Sequence, residues 1–161
     1  MIGISGFGGA GKSTLAGQLG TAINAPVVSI DCFWLPERDV LGDDWPCFDR
    51  ERLAREVLLP WRAGQEVRYQ MGDDREADHG GWRTVPLCSR LIIEGCSVFH
   101  PVLLPLLDFK IWLEVPLEIA TARGIARDSA QFGVDMTSHW KERWEPNERA
   151  FLERFQPQEA S

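Results

Sequence analysis

No run of apolar residues in this chain of 161 approaches the length of a membrane span, and no block of lysine and arginine stands out. The first absence argues against a bilayer-crossing helix. The second argues against a surface that coats nucleic acid or lies on a membrane, since both depend on basic patches. Cys32, Cys47, Cys88 and Cys96 include no C-x-x-C pair, so free thiols in a reducing cytosol are expected in place of disulfides or a zinc site. His79, His100 and His139 are dispersed and lack metal-ligand spacing. Neither a Ser-His-Asp order nor a nucleophile elbow is present. There is no internal repeat, no low-complexity tract and no signal peptide ahead of the first strand, so a cytoplasmic protein with no membrane or nucleic-acid partner is expected.

What remains is an ordinary globular composition, 44% hydrophobic and 25% charged, with a net charge of -7. The length suggests one domain, 1–161, with a substantial core. Net acidity does not prevent nucleotide binding, because backbone amides and a metal ion can neutralise phosphates locally.

The opening stretch organises the chain. Ile2 and Ile4 give the apolar beat of a short buried strand, and Gly6-Phe7-Gly8-Gly9-Ala10-Gly11-Lys12-Ser13-Thr14 follows, fitting G-x-x-x-x-G-K-[ST]. Gly6, Gly8, Gly9 and Gly11 let the backbone curl its N–H groups around an anion. Ser13 to Ala22 has few breakers and predicts a helix whose positive end faces the same phosphates. Lys12 can reach β/γ-phosphates and the Ser13 hydroxyl can sit on Mg²⁺. Together with Ala10 and Thr14, these residues form the expected nucleotide cradle.

Further along, Val27 to Ile30 is a β-branched run that ends at Asp31, and Leu91-Ile92-Ile93 is a fully apolar run followed by Glu94-Gly95. In an open parallel sheet, residues at strand C-termini reach the ligand edge, so both acids are expected beside the phosphates. Between them lie a long loop with acids Asp39, Asp43 and Asp44, and a helix entered at Phe48-Asp49 with Asp49 as N-cap. That helix carries Leu53, Val57, Leu58 and Trp61 on one face, and Pro60 marks its end or a kink. A short strand over Gln65 to Gln70 and a polar loop over Met71 to Gly81 come next. The pattern then predicts a short helix from Phe99 to Leu107 and a strand from Phe109 to Val115. Pro116 opens a helix through Asp128 with Ile119, Ala122, Ile125 and Ala126 inward, and a last helix runs from about Ser138 to Phe155. The alternation predicts an α/β fold, a three-layer α/β/α P-loop NTPase sandwich with a mostly parallel sheet.

These pieces together resemble the uridine kinase and nicotinamide riboside kinase group of P-loop kinases. Val28-Ser29-Ile30-Asp31-Cys32-Phe33-Trp34 resembles the family's strand-end Asp with an aromatic pair. Leu91-Ile92-Ile93-Glu94-Gly95 resembles its Glu-Gly metal strand, and Phe48-Asp49 resembles the entry to its substrate-side helix. Arg123-Gly124-Ile125-Ala126-Arg127-Asp128 resembles the arginine-bearing segment that leads into the phosphate lid. The resemblance implies transfer of the γ-phosphate of ATP, with Mg²⁺, to a hydroxyl of a small nucleoside-like molecule. It implies Asp31 as general base, Ser13 and Glu94 as metal ligands, Lys12 on the β/γ-phosphates, and Arg123 and Arg127 on the transferring charge. It also places Asp43 near a ribose-binding acid, Tyr69 and Asp73 near the substrate lid, and Trp34, Trp45 and Trp82 as candidates to stack on a base.

Three departures from the family stand out. The lid near 128–136 is short, offering Phe132-Gly133-Val134-Asp135 where further arginines are common. Gly72 replaces an aromatic. The family's strand after the last helix is missing, so the sheet edge is expected to be covered by a helix or a partner chain, as in a homo-oligomer. Two other readings remain open: a P-loop switch or regulatory ATPase with no small-molecule acceptor, and a family member that has lost activity.

Overall fold

The computed structural model of this chain describes residues 1–71 and 81–161, so Gly72, Asp73 and His79 lie outside the described residues. Strand β1 (Ile2–Gly6) leads through the glycine-rich turn into helix α1 (Lys12–Ile23). Asn24 ends α1 in the left-handed conformation (φ 51°), the role an Asn or Gly plays just past a helix C-terminus. Strand β2 (Val27–Ser29) passes directly into a 3₁₀ turn, Ile30–Phe33, in which the Ser29 hydroxyl accepts the Asp31 N–H.

Helix α2 covers 50–62, and Asp49 caps it by accepting the Arg52 N–H at 2.9 Å, as the sequence predicts. Pro60 neither ends nor breaks it. A π-helical turn, Ala54–Leu58, comes just before the proline and shifts the hydrogen-bond register where its missing N–H would otherwise leave a gap. Strands β3 (Val67–Gln70) and β4 (Trp82–Val85) then form an antiparallel pair, with Val67 opposite Val85 and Gln70 opposite Trp82. Sequence pattern gave β3 but not β4, whose Trp-Arg-Thr-Val has little alternation.

Strand β5 (Ile92–Glu94) and strand β6 (Phe109–Leu113) complete the main sheet. The helix expected between them is not formed: the segment is a series of turns with one 3₁₀ turn, Leu104–Leu106. Pro101 and Pro105 each remove a donor, and no regular helix spans both. Helix α3 (Leu117–Phe132) runs one turn past its predicted end and stops at Gly133 (φ 69°). Helix α4 covers 137–155 and contains a second π-helical turn, Trp140–Trp144, again just ahead of a proline, Pro146.

The four main strands are all parallel in the order β2-β5-β1-β6, the central sheet of a P-loop α/β sandwich. Alternation along them separates two cores. Ile4 and Ile92 pack with Ala16 of α1 on one face, with Leu15, Leu19 and Ile23 at their margin. Val28 and Ile93 face the other way, into a larger aromatic core with Phe33, Leu53, Phe99, Trp140 and Phe151. β6 stands at the sheet edge, and the chain's own last 3₁₀ turn, Pro157–Ala160, packs on it.

The inner face of α3 differs from expectation. Ile119 is 46% exposed, and Ala122 and Ala126 are exposed too. The buried positions are Leu117, Ala120, Thr121, Gly124 and Asp128, which share helical spacing but not strong hydrophobicity. Small residues are required there because two other elements approach closely. A Cβ on Gly124 would fall inside the Trp140 ring, and one on Gly9 would collide with the Ala120 carbonyl.

Candidate active site

The parallel sheet brings three strand ends to one edge. Glu94 lies in register with Ile4 of β1 and Ser29 of β2, so its side chain, the glycine-rich turn and the Asp31 turn share that edge. Gly9 (φ 82°) and Gly11 (φ 99°) adopt the left-handed geometry that turns amides inward, and Gly11 serves as the N-cap of α1 with no side-chain cap. The first turn of α1 holds Lys12, Ser13 and Thr14, with no acidic residue to compete for an anion.

Lys12 is buried. Its Nζ donates to the Phe7 carbonyl at 2.8 Å and to Cys96 Sγ at 3.3 Å. Burial works to lower its pKa, but Cys96, Glu148, Glu94 and Asp31 together outweigh that and hold the ammonium form above the usual lysine value. The Ser13 hydroxyl sits 3.3 Å from Glu94 Oε2 and 3.4 Å from Oε1. Glu94 is 4% exposed, and burial, then the Asp31 charge, push its pKa up, against hydrogen bonds from Ser29 and Ser13 and the charge of Lys12. Asp31 is exposed at the rim and acts electrostatically on Lys12, Glu94, Cys96 and Arg127.

Arg127 and Arg123 are both exposed on α3. The Arg127 Nε donates to Asp128 Oδ1 at 2.7 Å, and that bond, ahead of the charges of Cys96 and Asp31, raises its pKa. The second Asp128 oxygen accepts the Trp140 indole N–H at 2.9 Å, which ties α3 to α4 next to the cradle.

The structure therefore gathers Gly6 through Thr14, Asp31, Glu94 and Arg127 around one edge. Three residues predicted to touch the acceptor have partners within the chain. Asp43 pairs with Arg154 at 2.6 Å. Trp34 is 7% exposed and packs edge-on to Phe48 and Trp144. Tyr69 stacks on Phe33 at 5.4 Å, and burial pushes its hydroxyl up to about 12. Trp45 is likewise buried, whereas Trp82 is exposed with Arg68 over its ring.

Two residues at the cradle carried no motif signal. Glu148 of α4 accepts the Gly8 N–H at 2.5 Å, and Cys96 lies between it and Lys12. A run of charges on an amphipathic last helix reads as a solvated face. Only the fold shows that Glu148 points inward, 4% exposed. Among the described residues no group of three His, Cys, Asp or Glu side chains is placed to hold a metal, and no helix is long and apolar enough to cross a membrane.

Known proteins give the site its context. No family model matches the chain. The chain is similar to the uridine kinase of Saccharomyces cerevisiae (strain ATCC 204508 / S288c), 25% identical over 170 residues that cover 94% of the chain and 34% of that protein. It is also similar to mouse (Mus musculus) uridine-cytidine kinase-like 1, 27% identical over 153 residues that cover 84% of the chain and 27% of that protein. The chain thus spans about a third of the length of these curated relatives. In three dimensions it matches the structure of a possible uridine kinase from Bacillus stearothermophilus with a TM-score of 0.72 at 21% identity, over 98% of this chain and 83% of that one. Sequence and fold thus agree on likeness to the uridine kinase-like family of P-loop kinases.

Proposed function

We propose that this chain is an ATP-dependent kinase that moves the γ-phosphate onto a hydroxyl of a small nucleoside-like molecule, of uridine, cytidine or nicotinamide riboside type. The main support is the meeting of the Ser13 hydroxyl with the buried Glu94 carboxylate, 81 residues apart in sequence, beside Lys12 and Asp31. A P-loop alone accounts for nucleotide binding. Two strand-end acids next to it supply the further groups that transfer to an alcohol requires.

The Ser13 and Glu94 oxygens are hard donors within 3.4 Å of each other, which suits Mg²⁺, an ion usually bound by one or two protein oxygens together with waters and substrate phosphates. Held by Ser13 and Glu94, the ion would supply neutralisation of phosphate charge. Lys12 places its ammonium on the β- and γ-phosphates, with the inward amides of the glycine turn around them. Asp31, at the exposed rim, takes the proton of the acceptor hydroxyl. The new O–P bond forms as the β–γ bridge breaks, and ADP leaves. Arg127, steadied by Asp128, and Arg123 from the same helix offset charge on the phosphoryl group in flight.

The test is ATP consumption by the full chain with and without a panel of nucleosides and sugars. Stimulation by one acceptor, with its phosphate ester as product, is the expected result. Hydrolysis that ignores every acceptor would replace the kinase with a P-loop switch.

A further inference from the structure

Helix α4 reaches across the glycine turn and covers part of it. A Cβ on Gly8 would lie 2.7 Å from the Trp140 ring and 3.1 Å from Glu148 Oε1, so both side chains rest directly on the cradle. Glu148 does more than pack. Its Oε1 takes the Gly8 N–H at 2.5 Å, and its Oε2 is buried with no N–H donor on it among the described residues, the Cys96 thiol being the carboxylate's other neighbour.

We propose that Glu148 is a built-in substitute for phosphate: its carboxylate holds the Gly8 end of the anion cradle, and a nucleotide's terminal phosphates seat only when α4 withdraws it. The proposal rests on the kinase reading above. A carboxylate and a phosphate want the same partners, inward amides and a nearby ammonium, so they compete for one place. Lys12 feels Glu148 electrostatically, and Cys96 lies against both. With the weakly donating Cys96 thiol as the carboxylate's only neighbour among the described residues besides the Gly8 N–H and the Lys12 charge, this seat is a poor permanent home for an ionised group, since a buried carboxylate so thinly satisfied is costly to keep.

The mechanical link is also present. Trp140, on the same helix, is anchored to Asp128 beside Arg127, so motion of α4 away from Gly8 is felt at the arginine-bearing end of α3. Release of Glu148 and placement of Arg127 are thereby coupled to one helix.

Binding of tripolyphosphate and of ATP to the full chain, followed by calorimetry at pH 8, tests this directly in the parent protein, Glu148→Gln and Glu148→Asp. The expected outcome is at least tenfold tighter binding of both anions by Glu148→Gln, which keeps the size and loses the charge. Glu148→Asp, too short to reach Gly8 in the same pose, is expected to fall between. Hydrogen exchange in the parent protein supplies an independent readout, with amides of 145–155 expected to exchange faster when tripolyphosphate is added. Equal or weaker binding by Glu148→Gln in a protein that still phosphorylates an acceptor overturns the gate alone. Unchanged exchange in α4 with the anion bound does so as well. No binding of either anion by any of the three forms overturns the kinase reading and the gate together.

Discussion

The Trp140 indole N–H donates to Asp128 Oδ2 at 2.9 Å while the same ring lies over Gly124 and Gly8. One side chain thus joins α4, α3 and the glycine turn, and it is 1% exposed. Replacing it with alanine removes a large buried ring and orphans an Asp128 oxygen. Trp140→Ala is expected to lower stability by about 3–5 kcal/mol, read as a shift in urea midpoint with little change in slope.

The two glycines Gly124 and Gly17 make a matched pair. Both sit inside helices, but a Cβ at Gly124 meets Trp140 while nothing lies within 4 Å of one at Gly17. Gly124→Ala is expected to destabilise by about 1–3 kcal/mol through overpacking. Gly17→Ala is expected to stabilise by about 0.5–1 kcal/mol through helix propensity. Thermal unfolding of the two variants should move in opposite directions, and a common direction would contradict the packing described.

Asp31→Asn keeps the shape of the rim and removes the proton acceptor. Turnover with the stimulating acceptor is expected to fall about 10²- to 10⁴-fold, with ATP affinity nearly unchanged. Retained turnover would assign the base elsewhere.

Acidity at α4 should register in stability. Burial raises the Glu148 carboxyl from 4.5 to about 7, opposed by Lys12, the Gly8 N–H and the Cys96 thiol and assisted by Glu145. The folded state therefore holds this proton more tightly than the unfolded chain. The resulting stability is fully present below pH 4.5 and is lost as pH rises toward about 7, a change on the order of 3 kcal/mol. Glu94, also raised by burial and Asp31, adds in the same direction. Chemical denaturation between pH 4.5 and 8 should show the decline, and Glu148→Gln should flatten most of it.

What could be read from residues alone follows the strength of local pattern. Ile92 and Ile93 face opposite cores, and a run apolar at every position is what a strand buried on both faces requires. The glycine turn was legible because its backbone shape depends on which residues lack a Cβ. By contrast, the inner face of α3 escaped the hydrophobic pattern, because Ala120 and Gly124 are buried for their smallness. β4 has little alternation in its residue types and is held by its partner strand. Glu148 gave no signal, since its place at Gly8 depends on how a helix 140 residues away in sequence crosses the cradle.

The wide turn at Trp140–Trp144 sets the aim of that helix. In a regular α-helix, side chains eight residues apart diverge by about 80° around the axis. A π turn absorbs one residue, so positions 140 and 148 come back to within about 20° of each other, and both reach Gly8. Ironing that swelling flat with Pro146 replaced, at unchanged length, separates the two effects: a straightened helix of the same length can keep its indole in place or its carboxylate, but not both.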